Sequence, residues 1–552
     1  MDAVNKESPS VKERISPVFS GENLSRLMGA VFAFFVMLLH PVIFDDLFFN
    51  INRFKHAVYC YSAYFGLVSY MLLSYLKRKS LTGKIYEPFS LSLADWGMLA
   101  FSVIAAVSCS MSSDPASAFT GDEGRKSGLL FILAMLCVHI IVSRAPGAGK
   151  RAVQGLMISG FLVALLGTLN FFYIDPFGFY GPRLSKTSVP RFISTIGNID
   201  FFAAFLCLYL PAVMVYCVKA KGLKSFLLFP AIATGAAAVV VSRADGAIIA
   251  LLFSAFACML FGVSSRLYLA RALYSISAAM MGLFVVSMLI HAYPNGYMSL
   301  DESIQKYLVQ YPAITGASSL ALLCASYALT RSRKTVIRKK TARFLRRLMW
   351  FVLICAAFVF ICLFIYYSFI NSDSPLPDAL EILRFSDTWG THRGGVWVRS
   401  MKLYSESDLR VKLVGFGPDL LKKPLADSYG KEIIAYCNLS FDNAHNELIQ
   451  YLLTLGALGL CSYLLFVVGG MHTLYRKMKQ CPYAAAAFAA AAIYLTHSVV
   501  TVNQPITTPL LFLLLSAGVS SAKETDKPAA ADGKEIACEN TNPPKESVFQ
   551  EP

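Results

Sequence analysis

Charge is scarce in this sequence: only 15% of its 552 residues are Asp, Glu, Lys or Arg, against roughly 25% in a soluble globular domain. An ordinary soluble enzyme is thereby excluded, because 56% hydrophobic residues overfill any core this chain could build and require lipid. No histidine or cysteine cluster has metal-ligand spacing, and no glycine-rich phosphate loop or paired-cysteine motif occurs, so neither metal nor cofactor is expected. The 13 cysteines are odd in number and lie mostly within apolar runs, which implies no disulfide framework. No small-residue cleavage pattern follows the first apolar run, so that run is expected to remain as a helix. An internal repeat of the kind common in secondary transporters is also missing. Acid is in deficit, leaving a formal net charge of +16. That would suit a nucleic-acid partner only if the basic residues shared a folded soluble face, and they do not.

Apolar runs of about 17 to 25 residues, long enough to cross a bilayer, fall near 24–44, 57–76, 91–110, 128–143, 153–173, 199–218, 225–241, 245–263, 272–291, 312–330, 348–369, 447–470, 482–500 and 506–521. The fold expected is an all-α polytopic membrane protein of about fourteen transmembrane helices. Alternate connections (76–90, 144–151, 219–224, 264–271, 331–347 and 471–480) hold 24 Lys and Arg against one acid, Glu87. Basic loops stay cytoplasmic, and an even number of spans then places both termini inside. The basic run Arg331 to Arg347 reads as a juxtamembrane anchor on anionic lipid. The expected organisation is a cytoplasmic tail over 1–23, helices over 24–369, a large outer segment over 370–446, further helices over 447–521 and a disordered tail over 522–552.

The segment 370–446 carries nine basic and ten acidic residues, and connections of that length are usually functional or disordered. Its aromatic residues and turn signals, at Gly394-Gly395 and Val414-Gly-Phe-Gly-Pro418, predict a small, largely helical cap. Its end, Phe441-Asp-Asn-Ala-His445-Asn-Glu447, runs into an apolar helix for which Asp442 or Asn443 is a natural N-cap. His445 would then sit in the first turn, where the helix dipole keeps an imidazole neutral and able to accept a proton. The same histidine could simply help to cap the helix. Four outer-face arginines also stand out: Arg183, Arg191, Arg243 and Arg393. Arg243 lies in a two-residue break between spans, where an ionisable group is costly unless it serves a site, snorkels or pairs with Asp245. Converging guanidinium groups suit a diphosphate, whose oxygens match their planar fork.

Taken together these residues resemble the O-antigen ligase and O-antigen polymerase superfamily of bacterial membrane glycosyltransferases. The likeness is carried by Arg191-Phe-Ile-Ser-Thr-Ile-Gly-Asn198 with Asp200, by Ser242-Arg243 at a helix break, and by Arg393-Gly-Gly-Val-Trp397. It continues through Val414-Gly-Phe-Gly-Pro418, Ala444-His445-Asn446-Glu447 and Leu455-Gly456-Ala-Leu-Gly459, so it spans much of residues 120–460. The resemblance implies a GT-C-like enzyme that takes a glycan from undecaprenyl diphosphate to an acceptor hydroxyl on a lipid, glycan or protein, at the outer face of the bacterial cytoplasmic membrane and without a metal. Arg191, Arg243 and Arg393, with Arg183, would hold the diphosphate. Arg125, in Gly121-Asp-Glu-Gly-Arg125-Lys-Ser-Gly128, matches a further basic position. His445 would deprotonate the acceptor, with Arg243 and Arg393 as its catalytic partners and Asn198, Asp442 and Asn446 in support. The competing class is a polysaccharide or lipid-linked oligosaccharide exporter. Such a transporter places ionisable residues at mid-membrane and keeps its outer loops short.

Overall fold

The computed structural model describes residues 21–80, 90–220, 222–301, 303–332, 337–372, 374–438 and 440–525; the expected tails thus lie largely outside the described residues. The protein is an all-α polytopic membrane protein. In chain order its helices are α1 (Gly21–Val42), α2 (Ile51–Ser80), α3 (Leu93–Ser110), α4 (Pro115–Thr120), α5 (Leu129–Val142), α6 (Ala148–Phe171), α7 (Ile199–Lys219), α8 (Phe229–Val241), α9 (Ala247–Gly262), α10 (Arg266–Ala292), α11 (Lys306–Val309), α12 (Pro312–Arg331), α13 (Lys339–Ile365), α14 (Trp389–Glu406), α15 (Leu409–Val414), α16 (Lys422–Cys437), α17 (Glu447–Lys477), α18 (Pro482–Ser498) and α19 (Thr508–Thr525). Among the described residues nine helical segments are long and apolar enough to cross a membrane, and four further apolar helices are shorter. The one sheet there is a two-strand hairpin, β1 (Phe192–Ile193) with β2 (Gly197–Asn198), leading into α7.

α7 is the central post. It is apolar all round, and every residue from Phe201 to Lys219 is buried, as a helix ringed by other helices requires. α18, α9, α10, α8 and α6 pack around it. α3 lies along α17, and the approach is close because Gly97 abuts the backbone of Phe466 and Gly469 that of Ala94. Small residues set such helix contacts in membranes. At the end away from Arg125 and His445, Asp95 at the start of α3 accepts from Arg144 and meets His139 of α5, each at 3.0 Å, and His139 in turn meets Ser516 of α19 at 2.9 Å. This buried polar chain ties three helices together.

Between α13 and α17 the chain forms a cap with its own small core, in which Val396, Leu403, Leu425, Tyr429 and Ile433 pack together. The cap is docked through a defect in α17. At Gly456 (φ +69°, ψ −175°) the helix breaks, which leaves nearby carbonyls without their usual partners. The Leu453 carbonyl accepts from Phe416 N–H at 2.9 Å and the Thr454 carbonyl from Gly417 N–H at 3.0 Å. Ser108 Oγ donates to the same Thr454 carbonyl at 2.9 Å. Broken helices survive in a membrane where neighbours satisfy the released backbone in this way. Gly415 (φ +81°) meets Thr454 and Leu455 so closely that a Cβ would collide with their backbone. The Gly394-Gly395 pair, in contrast, makes no turn: it lies inside α14, packed against Ser386 and Tyr436. The turn falls just before it, at Gly390, Thr391 and His392, all left-handed.

Candidate functional site

The cap, the loop after α4 and the first turn of α7 bring several charged residues together. The loop is anchored first. Asp419 Oδ2 accepts from the backbone N–H of Asp122 at 2.9 Å and of Ser127 at 3.0 Å. Burial pushes the Asp419 carboxyl up to about 7, against the opposing pull of those two N–H groups. Held in this clasp, Arg125 forks onto Asp442, Nε to Oδ2 at 2.8 Å and Nη2 to Oδ1 at 3.0 Å. Its guanidinium stands 5.7 Å above the Phe201 ring of α7. Burial alone would raise the Asp442 carboxyl, but the Arg125 fork outweighs it and holds it below its ordinary range.

His445 sits beside this pair. It is not in the first helical turn: α17 begins at Glu447, and its N-cap is Asn446, whose side chain accepts from Leu448 N–H at 3.0 Å and Ile449 N–H at 3.1 Å. Neither Asp442 nor Asn443 caps the helix. Asn443 Oδ1 instead accepts the His445 N–H at 2.8 Å, and Gln450 Oε1 takes the Ala444 N–H at 3.0 Å. These bonds hold His445 at φ +48°, a left-handed conformation unusual for a side-chain-bearing residue. Its imidazole is pulled down to about 3, by burial first and then by the positive charges of Arg125 and Arg393, with Asp442 opposing. The ring is neutral at physiological pH, as the sequence suggested, but through burial and two arginines.

Arg393 links the rest. Its Nη2 lies 3.5 Å from Asp200 Oδ2, and its buried Nε has no hydrogen-bond partner among the described residues. Asp200 is in the first turn of α7, where Asn198 Oδ1 caps the helix by accepting the Asp200 N–H at 2.8 Å. The charge of Arg393 also reaches Asp245, in the break between α8 and α9. Two residues away, Arg243 has φ +55°. Its Nε and Nη2 are buried without a hydrogen-bond partner among the described residues, and Tyr173 and Tyr180 are its electrostatic neighbours. Pairing with Asp245 is not seen: Asp245 Oδ1 accepts the Ile304 N–H at 3.3 Å.

The remaining arginines differ. Arg183 is already engaged, forking onto Asp46 at 2.6 and 3.1 Å and lying 4.4 Å over the Phe49 ring, with 60% of its side chain exposed. Arg191 ends a short 3-10 turn and is exposed. The structure therefore gathers Arg125, Arg393, His445, Asp442 and Asp200, with Arg243 adjoining through Asp245. Arg183 belongs to a separate exposed pair.

Two residues were not foreseen as members of the site, although Glu447 closes the Ala444-His445-Asn446-Glu447 motif. His497 of α18 packs its ring on Gly246 and feels the charge of Arg393, and its buried Nδ1 has no hydrogen-bond partner among the described residues. Glu447 is fully buried beside Tyr451, Tyr463 and Ser498. A lone histidine in an alanine-rich helix gives no local signal, and a glutamate at a helix start looks like a routine dipole partner. Among the described residues no group of three His, Cys, Asp or Glu side chains gathers to hold a metal. Compared with known proteins, the chain matches no family model and no curated protein.

Proposed function

We propose that the protein is an integral-membrane glycosyltransferase that moves a glycan from undecaprenyl diphosphate to an acceptor hydroxyl. The observation that carries this reading is Arg243. Two guanidinium donors buried without partners among the described residues are expensive unless an anion meets them, and a neutral imidazole stands beside Arg393, whose charge reaches Asp245 two residues along from Arg243. In this reading Arg243 and Arg393 bind the diphosphate and stabilise the charge that grows on it as the glycosidic C–O bond breaks. His445 takes the acceptor's hydroxyl proton as the acceptor oxygen attacks the anomeric carbon. Asp442, forked by Arg125, balances the charge of the imidazole once it is protonated. Arg191 joins through long-range attraction of the anionic lipid.

The reading places the site at the outer face of the bacterial cytoplasmic membrane, with about fourteen spans, a cap over 370–446 and both termini inside, because the basic connections lie at the other end. A lipid carrier must arrive from the side, and α13 allows it. That helix touches the body near its basic end, through Arg346 on Ser264 and Trp350 on Phe256, and meets the cap through Phe364 on Phe385. Much of its length between is exposed.

The test is glycan transfer in vesicles holding purified protein, a labelled undecaprenyl-diphosphate glycan and mixed acceptors. Label should move to a larger product in wild-type vesicles and stay on the donor in His445→Ala vesicles. Label that crosses the bilayer unchanged in size would replace the transferase with an exporter.

A further inference from the structure

A cavity of about 410 Å³ opens beside the Arg125 loop, within the range of roughly 300–1,000 Å³ typical of small-ligand sites. Three pieces of chain build it: the turn into α2, the Arg125 loop and the β1–β2 hairpin with the start of α7. Its lining includes Phe49, Asn52, Arg53, Glu123, Lys126 and Asn198. Neither Arg243, Arg393 nor His445 lines it. Yet it adjoins their site through one layer of backbone, since a Cβ on Gly124 would stand 3.9 Å from Asp442 Oδ2.

The chemistry of the lining is specific. Asn52 Nδ2 donates to the Gly124 carbonyl at 3.1 Å, which leaves its Oδ1 to accept. Asn198 Oδ1 caps α7, which leaves its amide N–H groups to donate. Phe49 offers an aromatic surface, 46% exposed, with Arg183 on its ring. Arg53 and Lys126 make no ion pair among the described residues, and Lys126 is held left-handed at φ +56°. Amides that accept and donate, a partly exposed aromatic ring and two cations against one acid, Glu123, match a sugar: hydroxyls for the amides, a C–H face for the ring, an acidic substituent for the cations.

We infer that this cavity is the acceptor subsite, and that the acceptor is a saccharide with a preference for acidic substituents. The inference rests on the transferase reading and extends it. Because the cavity borders Asp442 and is not lined by Arg243 or Arg393, a sugar seated there approaches from the side away from the diphosphate. The Gly124 backbone separates the seated sugar from the Arg125–Asp442 pair, so in this reading its hydroxyl extends beyond the cavity to meet His445.

Two experiments decide it. In the vesicle assay Asn52→Ala and the double variant Arg53→Ala, Lys126→Ala are expected to raise the half-saturating acceptor concentration about tenfold while the half-saturating donor concentration stays constant. Unchanged acceptor saturation, with transfer intact, overturns the subsite and leaves the transferase standing. Independently, a benzophenone amino acid replacing Phe49 in living cells is expected to crosslink to saccharide, read by mass spectrometry of the adduct, whereas one replacing Tyr307 is not. A saccharide adduct without transfer in vesicles upholds a saccharide-binding cavity and rejects both the enzyme and the acceptor role. Absence of any saccharide adduct, or equal labelling at both positions, rejects the subsite.

Discussion

Arg243 and His445 do opposite things with burial. The guanidinium keeps its charge and leaves donors unmet among the described residues; the imidazole gives its charge up. Arg243→Ala is expected to lower transfer by about 10² to 10³, the loss typical of one preorganised charge stabiliser, and Arg243→Lys should recover little because a point charge cannot fork. Initial rates in vesicles at saturating donor check both. The histidine makes a pH prediction. Its pKa is depressed to about 3, so the base is ready at all higher pH, and the unliganded enzyme should show no loss of kcat/KM from this group down to about pH 4. Burial, the larger cause, persists, but removing a nearby positive charge relaxes the depression: in Arg125→Met the acid limb should move to higher pH than in wild type. A pH profile identical to wild type would show that Arg125 does not act on His445. The sequence marked Arg243, Arg393 and His445 by their places at a helix break, in the long outer segment and before an apolar helix, and Arg125 through the family resemblance alone. It misplaced the N-cap by several residues because Asp442, Asn443 and Asn446 are all good capping residues, and only tertiary bonds choose among them. His497 left no mark, since its role depends on Gly246, distant in the chain.

At the level of elements, the cap depends on the break in α17. Gly415→Ala and Gly456→Ala each impose a left-handed conformation on alanine and drive a Cβ into opposing backbone. Each should destabilise cap docking by about 2 kcal/mol or more, seen as faster limited proteolysis within 371–446. Unaltered cleavage would mean that the cap is held elsewhere. The Asp419 clasp adds a pH dependence. An aspartate raised to about 7 in the fold, from its ordinary value near 4, binds its proton more tightly folded than unfolded. Stability from this group is therefore complete below about pH 4 and declines as pH rises to about 7. Asp419→Asn keeps an acceptor oxygen and should flatten that slope in thermal unfolding. The helical nature of the cap was legible in its composition. Its docking was not, because Gly394-Gly395 reads as a turn yet serves close packing, while the turn at Gly390 to His392 includes two residues that rarely adopt left-handed backbone.

For the whole molecule, composition sufficed to read an all-α polytopic membrane protein: scarce charge and long apolar runs leave no alternative. Which helix stands at the centre was not legible, since α7 and α13 are both strongly apolar, yet α7 is buried from Phe201 to Lys219 while α13 is exposed along most of its length. The charge bias makes a topology prediction. In a background lacking other accessible thiols, Ser405→Cys in the cap should react with an impermeant maleimide on intact cells, and a cysteine at Thr341 only after permeabilisation. The reverse pattern would invert the protein and put the site on the wrong side for an outer-leaflet donor. The most direct test of the central claim is a cryo-microscopy structure with undecaprenyl diphosphate added. The account predicts diphosphate density against the Arg243 Nε and Nη2 and within reach of Arg393, with the prenyl chain leaving sideways below the cap. Diphosphate density at the opposite, basic end of the bundle, with Arg243 still unpartnered, would contradict it.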